Sequence, residues 1–424
     1  MKVSLKKGKK LAGTITPPPD KSITHRALIV GALGVDETEI GNPLISGDTK
    51  STVSCLLKLG KKISVEANRI MIEKGSLREP EEILDCGNSG TTARLLTGLL
   101  SSQEFFSVLD GDSSLKKRPM KRVVEPLRRM GAEIFGRLGS SCLPFSINGQ
   151  KLHGIDYQLD LPSAQVKSAI ILAGLFAEGK TTIRERIKTR DHLERLLLWL
   201  GADLEIQNNT VVVKQGSQIS GGRVAVPGDI SSAAFLMAAA VLLSGSRIIL
   251  KNVGFNPTRL GFIKVLKRMG ANISALDHRT KFNEEMADLE IKASDLMATD
   301  VEENEVPYLI DEIPLVALLA TQAQGVTRIK GAGELRHKES DRLKSVFINL
   351  SKMGARIEEK EDGLIIEGPT PLKGAQLRSF GDHRIAMTMA VASLLAHGES
   401  DIEGFDWVEI SYPNFLPDFM SLYK

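Results

Sequence analysis

A short polar cluster followed by an apolar, small-residue helix pattern occurs six times in this chain at a nearly constant spacing. The clusters begin at Asp20 (DKSITHRALIVGALG), Gly87 (GNSGTTARLLTGLL), Pro162 (PSAQVKSAIILAGL), Gly228 (GDISSAAFLMAAAVLL), Asp311 (DEIPLVALLATQ) and Gly381 (GDHRIAMTMAVASLLA). Successive starts lie 67, 75, 66, 83 and 70 residues apart, against about 71 for 424 residues cut into six equal parts. A second marker keeps the same interval: a helix-like run ends in a hydrophobic residue plus glycine at Gly60, Gly131, Gly201, Gly270 and Gly354. A period of this length means one supersecondary unit used repeatedly.

The first helix of each repeat is apolar nearly all round, as in AIILAGLF or AAFLMAAAVLL. A helix with no polar face is buried on every side. The second helix is amphipathic: Leu343, Val346, Phe347, Leu350 and Met353 share one face, with Lys344, Asn349 and Lys352 between them. The glycine after it suits a left-handed C-terminal cap. Short alternating stretches such as Ala355–Ile357, Gly363–Ile366 and Thr210–Lys214 read as half-buried strands. Each repeat is therefore roughly βαβαββ, an α/β class with buried parallel helices and outer sheets.

A chain of 424 residues exceeds what one core sustains, so the repeats are expected to group as three plus three. Breaks fall near Gly221–Gly228 (GGRVAVPGD) and near Thr16–Asp20, where TPPPD interrupts an opening strand. The expected domains are 16–224 and 1–15 plus 225–424, joined by two crossings that form a hinge. Three helix N-termini would face one way in each domain, and such termini attract phosphate and carboxylate. Two such faces opposed across a cleft suit small anionic substrates.

Net charge is +3, which gives no bulk attraction to nucleic acid or to a membrane surface. The longest apolar run, Ala233 to Leu243, is too short to cross a bilayer. No basic-then-apolar leader pattern opens the sequence, and Cys55, Cys86 and Cys142 lack metal-ligand spacing and cannot pair completely. A monomeric cytoplasmic protein with reduced thiols and no cysteine metal site is the expectation.

The helix starts carry more than capping requires. Lys21, Ser22 and Arg26 stand at the first, and Asn88, Ser89 and Thr91 at the second, with Arg94 one turn on. Ser163, Gln165 and Lys167 stand at the third, and Asp382, His383 and Arg384 at the sixth. The amphipathic helices open near Arg118-Pro119, Arg190-Asp191-His192, Pro257-Thr258-Arg259 and Lys338-Glu339-Ser340-Asp341-Arg342. Arginine at a helix start opposes the dipole, and an anionic ligand is the reason expected for it. The plainer alternatives are a helix cap for Asp311 and a surface residue for Glu339, while His383 reads as a core histidine with no catalytic role.

Taken in order, DKSITHR, GNSGTT, KKRPM, SAQ, IDEIPLVALLA, KESDRL and DHRIAM resemble the 5-enolpyruvylshikimate-3-phosphate synthase family over almost the whole chain. The resemblance implies two inside-out α/β domains of three repeats each. It implies the shikimate-pathway step of aromatic amino acid biosynthesis that joins phosphoenolpyruvate to shikimate 3-phosphate without metal or organic cofactor. It implies contacts to shikimate 3-phosphate from Lys21, Ser22, Arg26, Ser163, Ala164, Gln165, Asp311 and Lys338, and to phosphoenolpyruvate from Lys21, Gly90, Arg118, Gln165, Arg342 and Arg384. It gives Asp311 the proton of the 5-hydroxyl, and Glu339 with Lys21 the proton transfers at the enol carbon.

Two features depart from the family pattern. Asn414 in SYPNFLPDF stands where the family often has a phosphate-binding lysine. RDHLE, SAQVK and NPTR resemble the glyphosate-tolerant class, while Gly90 resembles the sensitive one. The sister enolpyruvyl transferase acting on UDP-N-acetylglucosamine shows Lys-Asn where this chain has Lys21-Ser22. It also carries a cysteine where this chain has Ser113. A catalytically silent scaffold, or a relative of the RNA-phosphate cyclases, has no need of Asp311 and Glu339 among so many cations.

Overall fold

The computed structural model describes residues 1–424, which divide into two compact units. The N-terminal unit comprises Pro19–Val226 with Lys281–Glu284, and the C-terminal unit Met1–Pro18, Pro227–Thr280 and Glu285–Lys424. Each has its own core: 0–8% exposed apolar side chains form one cluster in the first and another in the second.

Thirteen helices follow the sixfold pattern. The buried helix opening each repeat is α1 (Lys21–Gly31), α3 (Gly90–Ser101), α6 (Ala164–Gly174), α8 (Ile230–Leu242), α10 (Ile313–Ala320) and α12 (His383–Ser393). The amphipathic helices are α2 (Gly47–Lys58), α4 (Lys121–Arg129), α7 (His192–Trp199), α9 (Gly261–Arg268) and α11 (Arg342–Lys352). Two short ones, α5 (Arg137–Ser140) and α13 (Phe415–Ser421), complete the set. All eight residues of α10 are buried, as its unbroken apolar sequence requires. Small residues let the buried helices touch: a Cβ on Gly98 of α3 would stand 2.2 Å from the Ala169 carbonyl oxygen of α6. The five glycines that end the amphipathic runs all have φ between +84° and +100°, a left-handed cap geometry.

Each unit wraps its three buried helices with three sheets. In the N-terminal unit the strand before a buried helix pairs in parallel with the strand after it, as Leu84–Asp85 does with Phe106–Asp110. Two antiparallel strands then complete each sheet. The first repeat of each unit borrows its opening strand. Gly222–Ala225, which leads into α8, pairs in parallel with Thr38–Gly41 of the N-terminal unit. Ala12–Ile15, which leads into α1, pairs with Arg247–Gly254 of the C-terminal unit. Pro17 to Pro19 and Pro227 follow these strands, where proline withholds the N–H that would extend the ladder. Lys2–Lys6 pairs antiparallel with Glu399–Glu403 and finishes the last sheet.

One excursion has no counterpart in the sequence pattern. Strands Asn272–Lys281 and Glu284–Lys292 form a hairpin whose tip, Lys281–Glu284, groups with the N-terminal unit. There Phe282 meets the Trp199 ring edge-on at 5.3 Å, and Glu284 Oε1 lies 2.7 Å from His192 Nδ1. Strand alternation says nothing about what a hairpin tip touches.

Candidate active site

In the N-terminal unit the starts of α1, α3 and α6 assemble a polar, cation-rich surface. Asp20 caps α1 by accepting from the Ile23 N–H at 2.8 Å, and Lys21, the first helical residue, places Nζ 2.9 Å from Asp48 Oδ2. Arg26 is 3% exposed and donates to the Ser22 carbonyl at 3.0 Å and to Ser168 Oγ at 3.1 Å. Ser89 caps α3 and Ser163 caps α6. Gln165 bridges two of these helices: its amide oxygen accepts from Arg94 at 2.7 Å and its NH2 donates to Thr91 at 2.9 Å. Arg118 donates to the Asn88 amide oxygen at 2.9 Å, and Asn88 donates to Asp112 at 2.7 Å. Arg118 lies three residues before the start of α4, just beyond a 3-10 turn over Leu115–Lys117, rather than at the helix start expected for it.

Gly90 stands against both arginines. A Cβ there would come 2.7 Å from Arg94 Nη1 and 3.2 Å from Arg118 Nη1. The missing side chain therefore makes room for guanidinium groups that face the turn.

Below α6, Lys167 is wholly buried, with Nζ 2.9 Å from Glu185 and 2.7 Å from Glu194. Burial opposes its charge, but the two carboxylates more than offset this and hold its pKa above the ordinary lysine value. The lysine of SAQVK and the glutamate of RDHLE are thus one ion pair, a physical reason for the two motifs to occur together. The remaining motif of that set, NPTR, lies in the C-terminal unit, where Arg259 donates to Ser231 Oγ at 2.7 Å and pairs with Asp229 at 3.2 Å.

In the C-terminal unit the site is built around Arg342, the first residue of α11 and 1% exposed. Its Nε donates to Asp382 at 2.8 Å, Nη1 to Asp311 at 3.1 Å and Nη2 to Glu339 at 2.6 Å. Burial disfavours the cation, yet Asp382, Glu339 and Asp311 together raise its pKa further above the arginine range. An arginine at this helix start was expected to need an anionic ligand, and the structure supplies protein carboxylates. Lys338 Nζ lies 3.8 Å from Asp311 Oδ1, and Arg384 Nη2 lies 3.7 Å from Asp311 Oδ2. Asp311 sits in a 3-10 turn, Ile310–Glu312, and Glu312 rather than Asp311 occupies the cap position of α10. The plain-cap reading of Asp311 therefore fails. Asn414 is exposed at the start of α13, with no side-chain capping bond.

The sequence reading gave no role to Asp48 or Asp382. Asp382 had a visible signal, since it caps α12 by accepting from the N–H of Arg384, itself a candidate phosphoenolpyruvate contact, at 2.8 Å. Asp48 had none, because its partner Lys21 lies on another helix.

Fold and site define an inside-out α/β enzyme for small anionic substrates. Residues 5–419 match the family model described as EPSP synthase (3-phosphoshikimate 1-carboxyvinyltransferase). A 3-phosphoshikimate 1-carboxyvinyltransferase of Desulforamulus reducens is 49% identical, with 96% of each chain covered. One of Bacillus cytotoxicus is 47% identical, with 99% of this chain and 100% of that one covered. Among solved structures, EPSP synthase from Acinetobacter baumannii superposes with a TM-score of 0.89 at 40% identity, covering 100% of this chain and 98% of that one. The enolpyruvyl transferase NikO from Streptomyces tendae shares the fold, with a TM-score of 0.79 at 17% identity over 99% and 96% of the two chains. The chain belongs to the EPSP synthase family.

Proposed function

We infer that this chain transfers the enolpyruvyl group of phosphoenolpyruvate to the 5-hydroxyl of shikimate 3-phosphate and releases phosphate. Family membership over residues 5–419 supports the reaction. The observation that carries the site assignment is Asp311, a carboxylate with Lys338, Arg342 and Arg384 within 3.8 Å.

The residues then divide the work. Ser22, Arg26, Ser163, Ala164, Gln165 and Lys338, with Lys21 and Asp311, bind shikimate 3-phosphate. Lys21, Gly90, Arg118, Gln165, Arg342 and Arg384 bind phosphoenolpyruvate. An alcohol is a poor nucleophile until a positioned carboxylate removes its proton, and Asp311 fills that role. Glu339 and Lys21 deliver a proton to the methylene carbon, which makes the neighbouring carbon electrophilic. The alkoxide adds there, and loss of phosphate with a methyl proton restores the double bond. The cations offset the repulsion among two phosphates and a carboxylate. The enzyme acts as a cytoplasmic monomer in this reading.

Phosphate release from phosphoenolpyruvate, measured with shikimate 3-phosphate and separately with UDP-N-acetylglucosamine, tests the assignment. Turnover is expected with the first acceptor alone, and turnover with the second would transfer the chain to the sister activity. Size-exclusion chromatography with light scattering checks the monomer.

A further inference from the structure

Helices α1 and α2 are joined by two rungs one helical turn apart. The outer rung is Lys21 to Asp48 at 2.9 Å, and the inner one is His25 Nδ1 to Thr52 Oγ1 at 2.7 Å. The inner rung does not stop there. Thr52 Oγ1 lies 2.7 Å from Thr92 Oγ1 on α3, and Thr92 Oγ1 donates to Ser89 Oγ at 2.7 Å. Ser89 is the residue before Gly90 and also accepts from the Thr92 N–H. His25, Thr52, Thr92 and Ser89 are all 0% exposed.

The direction of this chain follows from counting protons. Each hydroxyl has one to give. Thr92 gives its proton to Ser89, so Thr52 must donate to Thr92, since two oxygens at 2.7 Å need a hydrogen between them. Thr52 then has none left for His25, so His25 must donate from Nδ1. That fixes the tautomer, with the proton on Nδ1 and a bare Nε2 that has no hydrogen-bond partner. Burial agrees, because desolvation pushes the His25 pKa down to about 3, which keeps the ring neutral.

We propose that His25, Thr52 and Thr92 are positioning residues for phosphoenolpyruvate, a polarised buried relay that holds Lys21 on α1 in register with the Ser89-Gly90 turn on α3. The inference rests on the functional reading above, which places Lys21 and Gly90 at that substrate. Lys21 lies one turn from His25 along α1, and Asp48 one turn from Thr52 along α2, so the inner rung sets the spacing at which the outer rung forms. At its far end the relay ties down the cap of α3, against which Arg94 and Arg118 stand. Loss of one donor anywhere along the relay leaves a buried oxygen without a hydrogen bond to accept, and the helix starts are free to shift apart.

The test is steady-state kinetics on paired variants with thermal melting alongside. Asparagine places an N–H close to where His25 Nδ1 has it, and leucine keeps much of the volume with no donor. His25→Leu is expected to raise the KM for phosphoenolpyruvate at least about fivefold, the usual worth of one buried hydrogen bond, and the shikimate 3-phosphate KM by clearly less, because Lys21 serves both substrates whereas the Ser89-Gly90 turn serves phosphoenolpyruvate alone. His25→Asn is expected to stay within about twofold of the natural chain in both constants. Should His25→Leu fail to fold, Thr52→Val against Thr52→Ser carries the same comparison, with the serine variant expected to retain function. Equal KM values in the donor and donor-less variants, with only the melting temperature falling, would overturn the proposal. So would a parallel rise in both KM values. An inactive natural chain would instead sink the functional reading itself, so the two failures are distinguishable.

Discussion

Each unit buries one cation among carboxylates, and the two clusters differ in one respect. Lys167 in the N-terminal unit meets Glu185 and Glu194, whose side chains are 3% and 2% exposed. Arg342 in the C-terminal unit meets Asp382 at 0% exposure, but also Asp311 at 12% and Glu339 at 17%. A closed cluster has nothing to offer a substrate and serves to fix helix α6 and the segment leading into α7. An open one holds two carboxylates rigidly at a part-exposed surface. Arginine suits the open cluster because its planar fork serves three carboxylates at once, which a lysine ammonium does not do with fixed geometry.

The sharpest way to break this contrast is at the open end. Asp311→Asn keeps the shape and removes the base, so turnover should fall by roughly 10²–10⁴ while shikimate 3-phosphate still binds. Near-normal phosphate release from the purified variant would take Asp311 out of that role.

The buried cations themselves come next. Removing one partner of a buried ion pair leaves uncompensated charge and costs about 3–5 kcal/mol, so Lys167→Met and Arg342→Met should both destabilise by that order. They should separate in kinetics. The Lys167 variant, assayed below its melting point, should keep most of its turnover, and the Arg342 variant should lose it. Equal activity losses would show the closed cluster to be part of the chemistry.

Acid should act on the N-terminal unit through His25. Its folded pKa of about 3 lies below the unfolded value of 6.5, so its contribution is complete above pH 6.5 and is lost as pH falls towards 3. At 1.36 kcal/mol per unit, lowering the pH from 7 to 5 should remove about 2 kcal/mol from that unit's stability. Urea unfolding of the natural chain and of His25→Asn at both values checks this. An unchanged pH dependence in the variant would mean other groups carry it.

The smallest effect concerns Gly90. Family resemblance places glyphosate at the phosphoenolpyruvate site, and competitive inhibition against that substrate is expected. Gly90→Ala should raise the inhibition constant at least about tenfold, within the usual range for overpacking. The added methyl meets the ends of Arg94 and Arg118, so the phosphoenolpyruvate KM should rise too, though by less. An enzyme that resists glyphosate without the substitution would show that SAQVK, RDHLE and NPTR outweigh Gly90.

How much was legible beforehand depends on the range of the signal. Helix periodicity, the glycine caps and the small-residue helices are local or repeat at fixed intervals, so GNSGTT, SAQ and DHRIAM announced the buried helices and the polar residues at their starts. The borrowed opening strands were half legible, since TPPPD and GGRVAVPGD marked the crossings but not which sheet each strand would join. The hairpin tip at Lys281–Glu284 was not legible at all.

Six repeats, their buried and amphipathic helices, and the polar residues at the helix starts are all written in the order of residues along the chain. These follow from spacing along one chain, which needs no partner to be read. That Lys167 closes on Glu194, that Arg342 opens towards Asp311, and that His25 reaches Ser89 through two threonines emerges only from the folded chain. Such pairs sit tens of residues apart and carry no pattern of their own. Their geometry exists only once the buried helices have packed, because packing alone sets which helix starts stand side by side.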